Sequence, residues 1–348
     1  MNATTFGLDI AKNVMQLHWV EPATGEIKRK KLSRGKLCEF FAQREPARIA
    51  LEACGGAHHW ARTLGALGHR VELLPARQVR PFACGNKDDA ADARAIWLAA
   101  QHGDIRRVAG KSVQQQAIQA THRMRSHWVS VRTASINALR GLLCEFGVVL
   151  PQGKQAGLKA LSRERESVDA QIPPLMASLV DQQLEMLRDI EQHIDALEKK
   201  LAAVQRELPS AARLRAVPGI GLLGATALAA TLGDGSGWRN GREFACCLGL
   251  VPRHDGTGGK VNIGAMSKRG DPYLRTLLIS GARAVLRQST PTPWVAQMLG
   301  RRPVNVVAVA LAHKLARTAW ALVAHERSYE ARWCSAPPQR SGASMQIA

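Results

Sequence analysis

An α/β sheet domain leading into a long, mostly helical remainder is the fold class that the sequence predicts. Three observations point there. The first hundred residues alternate short apolar runs with helix-spaced segments. A single helical pattern fills residues 111 to 147, and a three-heptad seam follows the paired prolines Pro173 and Pro174.

The elements follow in order. "TFGLDIA" and "NVMQLHWVE" are β-runs, "PATGE" is a turn signal, and "IKRKKL" makes a third strand. "RGKLCEFFAQR" has helical spacing, and "ARIALEA" is a buried strand ending at Glu52. "HHWARTLGALG" is a helix, "HRVELL" a fifth strand, and "NKDDAADARAI" opens a final helix. Three antiparallel strands followed by alternating helices and strands is the order of a ribonuclease-H-like domain, spanning 1–110. Its first and fourth strands are then neighbours.

A connector over 111–208 comes next. Arg125, Arg132 and Arg140 fall at spacings of seven and eight, on one stripe with His122 and Arg123 beside it. Such a stripe is either a solvated face or a phosphate-contacting one. Leu187, Ile190, Ile194, Leu197, Leu201, Val204 and Leu208 step by threes and fours, which reads as a coiled-coil or antiparallel hairpin arm. A narrow seam of this kind more often meets a second helix across a subunit contact, with packing inside the chain as the alternative. Pro209 starts a mostly helical unit, 209–327, and the composition of 328–348 is that of a disordered end.

Charge narrows the partners. Lys+Arg number 48 against 28 Asp+Glu, a formal net charge of +20, which points to a polyanion and to binding that weakens with salt. A hydrophobic content of 46% excludes a disordered basic tail. The seven cysteines contain no C-x-x-C pair, which argues against a zinc ribbon or disulfide framework and for a reducing cytoplasm. No secretory signal is expected, because Asp9 and Lys12 interrupt the first apolar run. The apolar stretch 304–325 carries His313, Lys314 and Arg317, so a buried helix is expected there rather than a membrane span.

Three constellations carry chemistry. Asp9 ends the first strand, Glu52 the fourth, and "NKDDAADARAI" places Asp88, Asp89 and Asp92 at the start of a helix. On that helix the 88/92 and 89/92 pairs both share a face, and plain helix initiation explains the acids equally well. Carboxylates gathered at one sheet edge repel unless divalent cations neutralise them. Hard oxygen ligands suit Mg²⁺ or Mn²⁺, and two such ions about 4 Å apart serve phosphodiester chemistry. In "VPGIG", Gly219 and Gly221 make a tight turn before a helix N-terminus, the geometry with which helix-hairpin-helix motifs hold a phosphate; an ordinary helix corner is the alternative. The glycine-rich block 249–278 carries Arg253, Lys260, Lys268 and Arg269 and lacks Walker A spacing. It reads as a flexible loop in which Thr257, between Gly256 and Gly258, is a candidate nucleophile and His254 and Asp255 a candidate base and its orienter; plain loop residues are the alternative. Cys246 and Cys247 read as core.

Taken together, "GLDIAKN", "ALEACGGAHHWAR", "NKDDAADA", "VPGIG" and "CLGLVPRHDGTGGKVNIGAMSKRGDPYLRTLL" resemble the IS110 family of insertion-sequence transposases, its IS1111 branch above all. The resemblance covers nearly the whole chain. It implies a RuvC-like domain with an Asp-Glu-Asp-Asp set, a coiled-coil connector and a C-terminal transposase domain. It also implies a hydroxyl nucleophile that completes a composite site, a covalent protein–DNA intermediate, and guidance by a structured bridge RNA that pairs with target and donor DNA. Asp9 and Glu52 match the first two acids. The family's motif falls on Asn86 to Ala93, so Asp89 and Asp92 match the last two and Asp88 fills a Thr place. The nucleophile loop usually reads Ser, then Ser or Thr, then Gly. Gly256 and Thr257 stand there, which makes Thr257 the expected nucleophile and Ser267 the second candidate.

The expectation is a Mg²⁺- or Mn²⁺-dependent, RNA-guided DNA recombinase of a mobile element, acting in the prokaryotic cytoplasm at the nucleoid as a dimer or tetramer. Arg253 and Lys260 would stabilise charge. The competing readings are a metal-dependent junction nuclease that uses water and a non-catalytic nucleic-acid scaffold.

Overall fold

Four short runs with buried apolar side chains and one exposed, basic edge strand assemble the N-terminal sheet as the alternation predicts. In the computed structural model residues 3–84, 88–288 and 292–331 are described. The chain divides into two compact units, Met1–Gln116 and Ala117–Ala348. Asn86 of the acidic motif and the tail beyond residue 331 lie outside the described residues.

In the first unit, strands β1 (Thr5–Ile10), β2 (Val14–Val20), β3 (Ile27–Ser33), β4 (Arg48–Glu52) and β5 (Arg70–Leu74) form one sheet in the order β3-β2-β1-β4-β5. β1, β2 and β3 pair antiparallel, while β4 and β5 run parallel to β1. The register pairs Leu8 with Leu51. Asp9 and Glu52, the next residues, therefore stand side by side at one end of adjacent strands. One face of the sheet packs Phe6, Leu8, Leu17 and Leu51 against Phe40, Phe41, Trp60 and Leu64. The helix Asp89–Gln101 covers part of the other face, where Ala50 and Leu74 meet Ala95, Ile96 and Ala99.

The helix Val113–Cys144 enters the second unit, where the helix Pro174–Glu207 runs beside it. Arg125 bonds Glu198 at 2.7 Å, Trp128 stacks on His193 with centroids 4.8 Å apart, and Arg132 bonds Glu191 at 3.1 Å. Rising numbers on one helix meet falling numbers on the other, so the pair is antiparallel. This corrects the expectation of an intersubunit seam. Leu187, Ile190, Ile194 and Leu201 are buried within the chain, because the second helix that a heptad stripe requires is supplied by Val113–Cys144. The arginine stripe is likewise occupied: Arg125 and Arg132 pair with carboxylates, and Arg140 donates to the Leu150 carbonyl.

Beyond Pro209 the unit is helical around one core, with Leu214, Leu228, Phe244, Leu278 and Leu315 at its centre. Val304–Ala324 is, among the described residues, the one helix long and apolar enough to cross a membrane. Val307, Ala308, Ala312, Ala316 and Ala319 of that helix are buried in the protein interior. Tyr329 still packs on the core, so ordered contacts run past the expected boundary at 327.

The block read as a flexible loop contains a β-hairpin, β6 (Pro252–Thr257) and β7 (Lys260–Met266). Gly258 and Gly259 both have positive φ, 58° and 78°, the conformation of a two-residue type I′ turn. Cys246 and Cys247 are exposed rather than core. Their helix, Gly241–Cys247, turns Gly241, Phe244 and Ala245 inward and leaves the cysteines on the other side.

Candidate active site

Gly7 is where the acidic site begins. A Cβ at Gly7 would strike the Ala93 carbonyl and lie 2.7 Å from the Trp97 side chain, so only glycine lets the helix Asp89–Gln101 lie this close to β1. Trp97 Nε1 donates to the Thr5 carbonyl at 3.1 Å, fixing the helix antiparallel to the strand. Asp9, two residues beyond Gly7 and on the same face, then faces the first turn of the helix.

The electrostatics follow from this grouping. The Asp9 carboxyl is pushed up from 3.8 to about 6, first by burial and then by the charges of Asp92, Asp89 and Glu52. Burial and Asp92 also raise Glu52. Asp88 takes no part in raising Asp9. It precedes the helix in an extended conformation, φ −146° and ψ 136°, and its side chain is exposed and makes no capping bond. The structure thus brings Asp9, Glu52, Asp89 and Asp92 into mutual influence and leaves Asp88 outside.

Among the described residues, no lysine or arginine forms an ion pair with any of the four carboxylates. Nor do three His, Cys, Asp or Glu side chains there converge closely enough to hold an ion as they stand. The donor set nevertheless fits a hard divalent cation: every donor is a carboxylate oxygen, and the Asp9 charge is held against three others without a cationic partner. Cys54 stands beside this group, its thiol raised by burial and then by Glu52 and Asp9. The sequence reading passed over Cys54 and Gly7. A lone glycine inside a strand pattern was the available signal for the close backbone approach.

In the second unit, Thr257 ends β6 and is exposed. It pairs with Lys260 across the turn, while Asp255 pairs with Asn262 and His254 with Ile263. Alternation puts Asp255, Thr257, Lys260 and Asn262 on one face and His254 on the other. The candidate base His254 is therefore not placed to serve Thr257, whereas Lys260 is the direct cross-strand neighbour of Thr257. A Cβ at Gly256 would meet the Lys260 carbonyl at 2.8 Å, so that position has no room for a side chain. Ser267 lies at the foot of the hairpin. Its Oγ is buried, and its backbone N–H donates to the Val251 carbonyl at 2.8 Å.

Arg253, Lys260, Lys268 and Arg269 are all exposed along the hairpin and its base. That base is a crossing of two glycine corners: a Cβ on Gly249 would strike the Arg269 carbonyl, and one on Gly270 the Cys247 carbonyl. Arg275 ties the crossing by donating to the Leu248 and Arg269 carbonyls, at 3.0 and 3.1 Å. The "VPGIG" turn does join two helices, Pro209–Arg215 and Leu222–Leu232. Gly219, at φ 90°, packs against Gly281, Val285 and Leu315, and Gly221 is exposed.

Comparison with known proteins matches two segments of the chain. A family model described as "Transposase", of the DEDD type, matches residues 6–148, and one described as "Transposase IS116/IS110/IS902 family" matches residues 211–297. A probable family 20 transposase of Pseudomonas aeruginosa is 45% identical over 335 residues, 94% of this chain and 99% of the relative. The transposase for insertion sequence element IS1328 of Yersinia enterocolitica is 38% identical, covering 92% of this chain and 96% of its own. The transposase for insertion sequence element IS1111A of Coxiella burnetii is 35% identical, with coverages of 93% and 90%. A DEDD transposase domain implies the use of divalent metal.

Proposed function

Because the chain belongs to the IS116/IS110/IS902 family of insertion-sequence transposases, we propose that it cuts and rejoins DNA through a covalent protein–DNA intermediate. Asp9, Glu52, Asp89 and Asp92 form the metal-binding set of a RuvC-like domain, and Thr257 is the nucleophile. The observation that carries this reading is the Asp9 carboxyl, pushed up to about 6 by its burial and its three acidic neighbours. Four like charges held together with no cationic side chain paired to them among the described residues answer to divalent metal rather than to fold stability.

Thr257 Oγ1 attacks the scissile phosphorus. A phosphothreonyl ester forms, the bond from phosphorus to one sugar oxygen breaks, and that oxygen leaves as a hydroxyl after taking a proton from solvent. The threonine proton passes to a carboxylate oxygen or to water. Attack by the hydroxyl of the joining strand reverses these bonds, restores Thr257 and conserves the phosphodiester count. Mg²⁺ or Mn²⁺, when bound by the four acids, would neutralise the site and polarise the phosphate. Lys260, opposite Thr257, and Arg253 stabilise the charge that grows on the phosphate oxygens. Arg269 and Lys268 hold neighbouring phosphates, and the "VPGIG" turn grips the backbone through its N–H groups. Following the family resemblance, a structured bridge RNA selects target and donor, and copies of the chain assemble to break and join several strands.

The test is to trap a protein–DNA adduct on DNA carrying the element's ends. The adduct should vanish in Thr257→Ala and Asp9→Asn and persist in Ser267→Ala. Strand cleavage without an adduct would favour the hydrolytic junction nuclease. Recombination surviving Asp9→Ala or Glu52→Ala would favour the scaffold.

A further inference from the structure

The edge strand β3 reads Ile-Lys-Arg-Lys-Lys-Leu-Ser, and its four cations divide between the two faces of the sheet. Directly opposite residues of an antiparallel pair project to the same face. The register pairs Asp9 with Gln16 and Gln16 with Lys31; one step along, Gly7 pairs with His18 and His18 with Arg29. Arg29 and Lys31 therefore share the face of Asp9 and of the helix Asp89–Gln101. The His18 ring, 5.5 Å from that of Trp97 on the helix, marks the same face. Lys28 and Lys30 alternate to the other face, where Lys30 Nζ lies 5.1 Å from the centre of the Phe40 ring.

The two faces use their cations differently. Lys28 bonds Glu26 at 2.7 Å, and Lys30 rests over an aromatic ring. Arg29 and Lys31 are exposed, and among the described residues neither forms an ion pair. Lysines on an edge strand discourage edge-to-edge pairing, but charge on either face meets that need. It does not account for two cations that stand in the rows leading to the carboxylates and yet pair with none of them. Gln16, buried and neutral, separates acid from cation in the row Asp9–Gln16–Lys31. Two strand spacings put β3 about 10 Å from β1, on the order of three nucleotide rises along one strand. A third cation serves this face: burial and then Arg29 and Arg94 hold the His18 imidazole below its ordinary range, and Arg94 is exposed on the helix.

We propose that Arg29 and Lys31 hold backbone phosphates of DNA that crosses the sheet from the edge strand β3 to the carboxylates, on the order of three nucleotides from the phosphate that is cut. The inference rests on the reading of those carboxylates as the site that cuts DNA, and it adds the side of the sheet along which the strand lies. Phosphates held at the edge strand offset the repulsion that the acids exert on the metal-free approach of DNA.

The experiment measures binding of the full-length chain to a fluorescent 20-mer DNA duplex, in EDTA so that no strand is cut. Arg29→Gln/Lys31→Gln should bind about tenfold more weakly, and the slope of log K against log[salt] should fall by about two. Arg29→Lys/Lys31→Arg should keep the slope. So should Lys28→Gln/Lys30→Gln, which removes equal charge from the other face of the same strand. A double-mutant cycle tests position. Asp9→Asn/Glu52→Gln removes repulsion and should tighten binding. That gain should fall below about twofold in the Arg29→Gln/Lys31→Gln background and persist beside Lys28→Gln/Lys30→Gln. An unchanged slope, an equal loss in the opposite-face variant, or a gain that is absent or independent of Arg29 and Lys31 overturns the proposal. A slope that falls on duplex RNA of the same sequence and not on DNA overturns it as well. None of these measurements uses the covalent adduct. An unaltered chain that forms no adduct with metal, while slope and cycle behave as stated, would strike at the catalytic reading alone, so the two failures are distinguishable.

Discussion

At the scale of single residues, the acidic motif shows what spacing can and cannot decide. Asp88 and Asp89 are equivalent partners of Asp92 on helical geometry alone. Where the helix begins separates them: Asp89 is its first residue, and Asp88 precedes it in extended backbone. Asp89→Asn and Asp92→Asn should each lower adduct formation by a hundredfold or more, roughly 3 kcal/mol of transition-state stabilisation, while Asp88→Asn stays within about threefold. A dead Asp88→Asn would sink this assignment. Asp9 makes a second prediction, about stability. A carboxyl whose pKa rises from 3.8 to about 6 on folding favours the folded state fully below pH 3.8 and loses that advantage as pH climbs through 6. In EDTA, Asp9→Asn should therefore melt higher than the unaltered chain at pH 8, and the difference should shrink towards pH 4. A difference that does not vary with pH would contradict the coupling. The positions of Asp9 and Glu52 were legible because each ends a strand whose apolar run is unmistakable. The role of Gly7 was not, since a close approach involves a partner 86 positions away, Ala93.

At the scale of elements, periodicity disclosed a seam but not what fills it. The heptads of Pro174–Glu207 read the same whether the facing helix belongs to this chain or to another; ion pairs at Arg125–Glu198 and Arg132–Glu191 show that it belongs to this one. Ile190→Ala and Ile194→Ala should each cost about 2–5 kcal/mol of stability. Because the seam is internal, that loss should not change when the protein is diluted a hundredfold. A cost that grows on dilution would return the seam to a subunit contact. The β6–β7 hairpin escaped the reading for the opposite reason. Nearly all its residues are exposed, so no hydrophobic alternation betrays it, and only the Gly258–Gly259 pair marks the turn. A buried junction elsewhere in this unit carries its own pH dependence. His122 bonds Tyr273 Oη at 2.9 Å and Thr226 Oγ1 at 3.0 Å, joining three helices. Burial and then Arg125 lower its pKa from 6.5 to about 4. A depressed histidine contributes stability above pH 6.5 that is lost as pH falls towards 4, on the order of 3 kcal/mol at most. Urea midpoints should fall more steeply between pH 7 and 4.5 in the unaltered chain than in His122→Gln; parallel profiles would show that the imidazole is not the titrating group.

At the scale of the whole molecule, a chain of net charge +20 carries a nest of four carboxylates with no cationic side chain among the described residues to offset them. The two features pull a polyanion in opposite directions. Counterion release from phosphates contacted by the many lysines and arginines drives association without metal. The carboxylates repel any phosphate that approaches them, over roughly 10 Å at 0.1 M salt. Binding and chemistry should therefore separate. In EDTA the chain should still bind DNA, with an affinity that falls steeply as salt rises, yet form no covalent adduct. Removing local repulsion by Asp9→Asn/Glu52→Gln should tighten that metal-free binding by about threefold to tenfold near 50 mM salt, and the gain should fade as salt screens it. Divalent metal should tighten the unaltered chain more than the double variant, because only the former has charge for the ion to cancel. If EDTA abolished DNA binding altogether, or if the double variant bound no better without metal, the acids would not face the phosphate, and the site would have to be sought elsewhere in the chain.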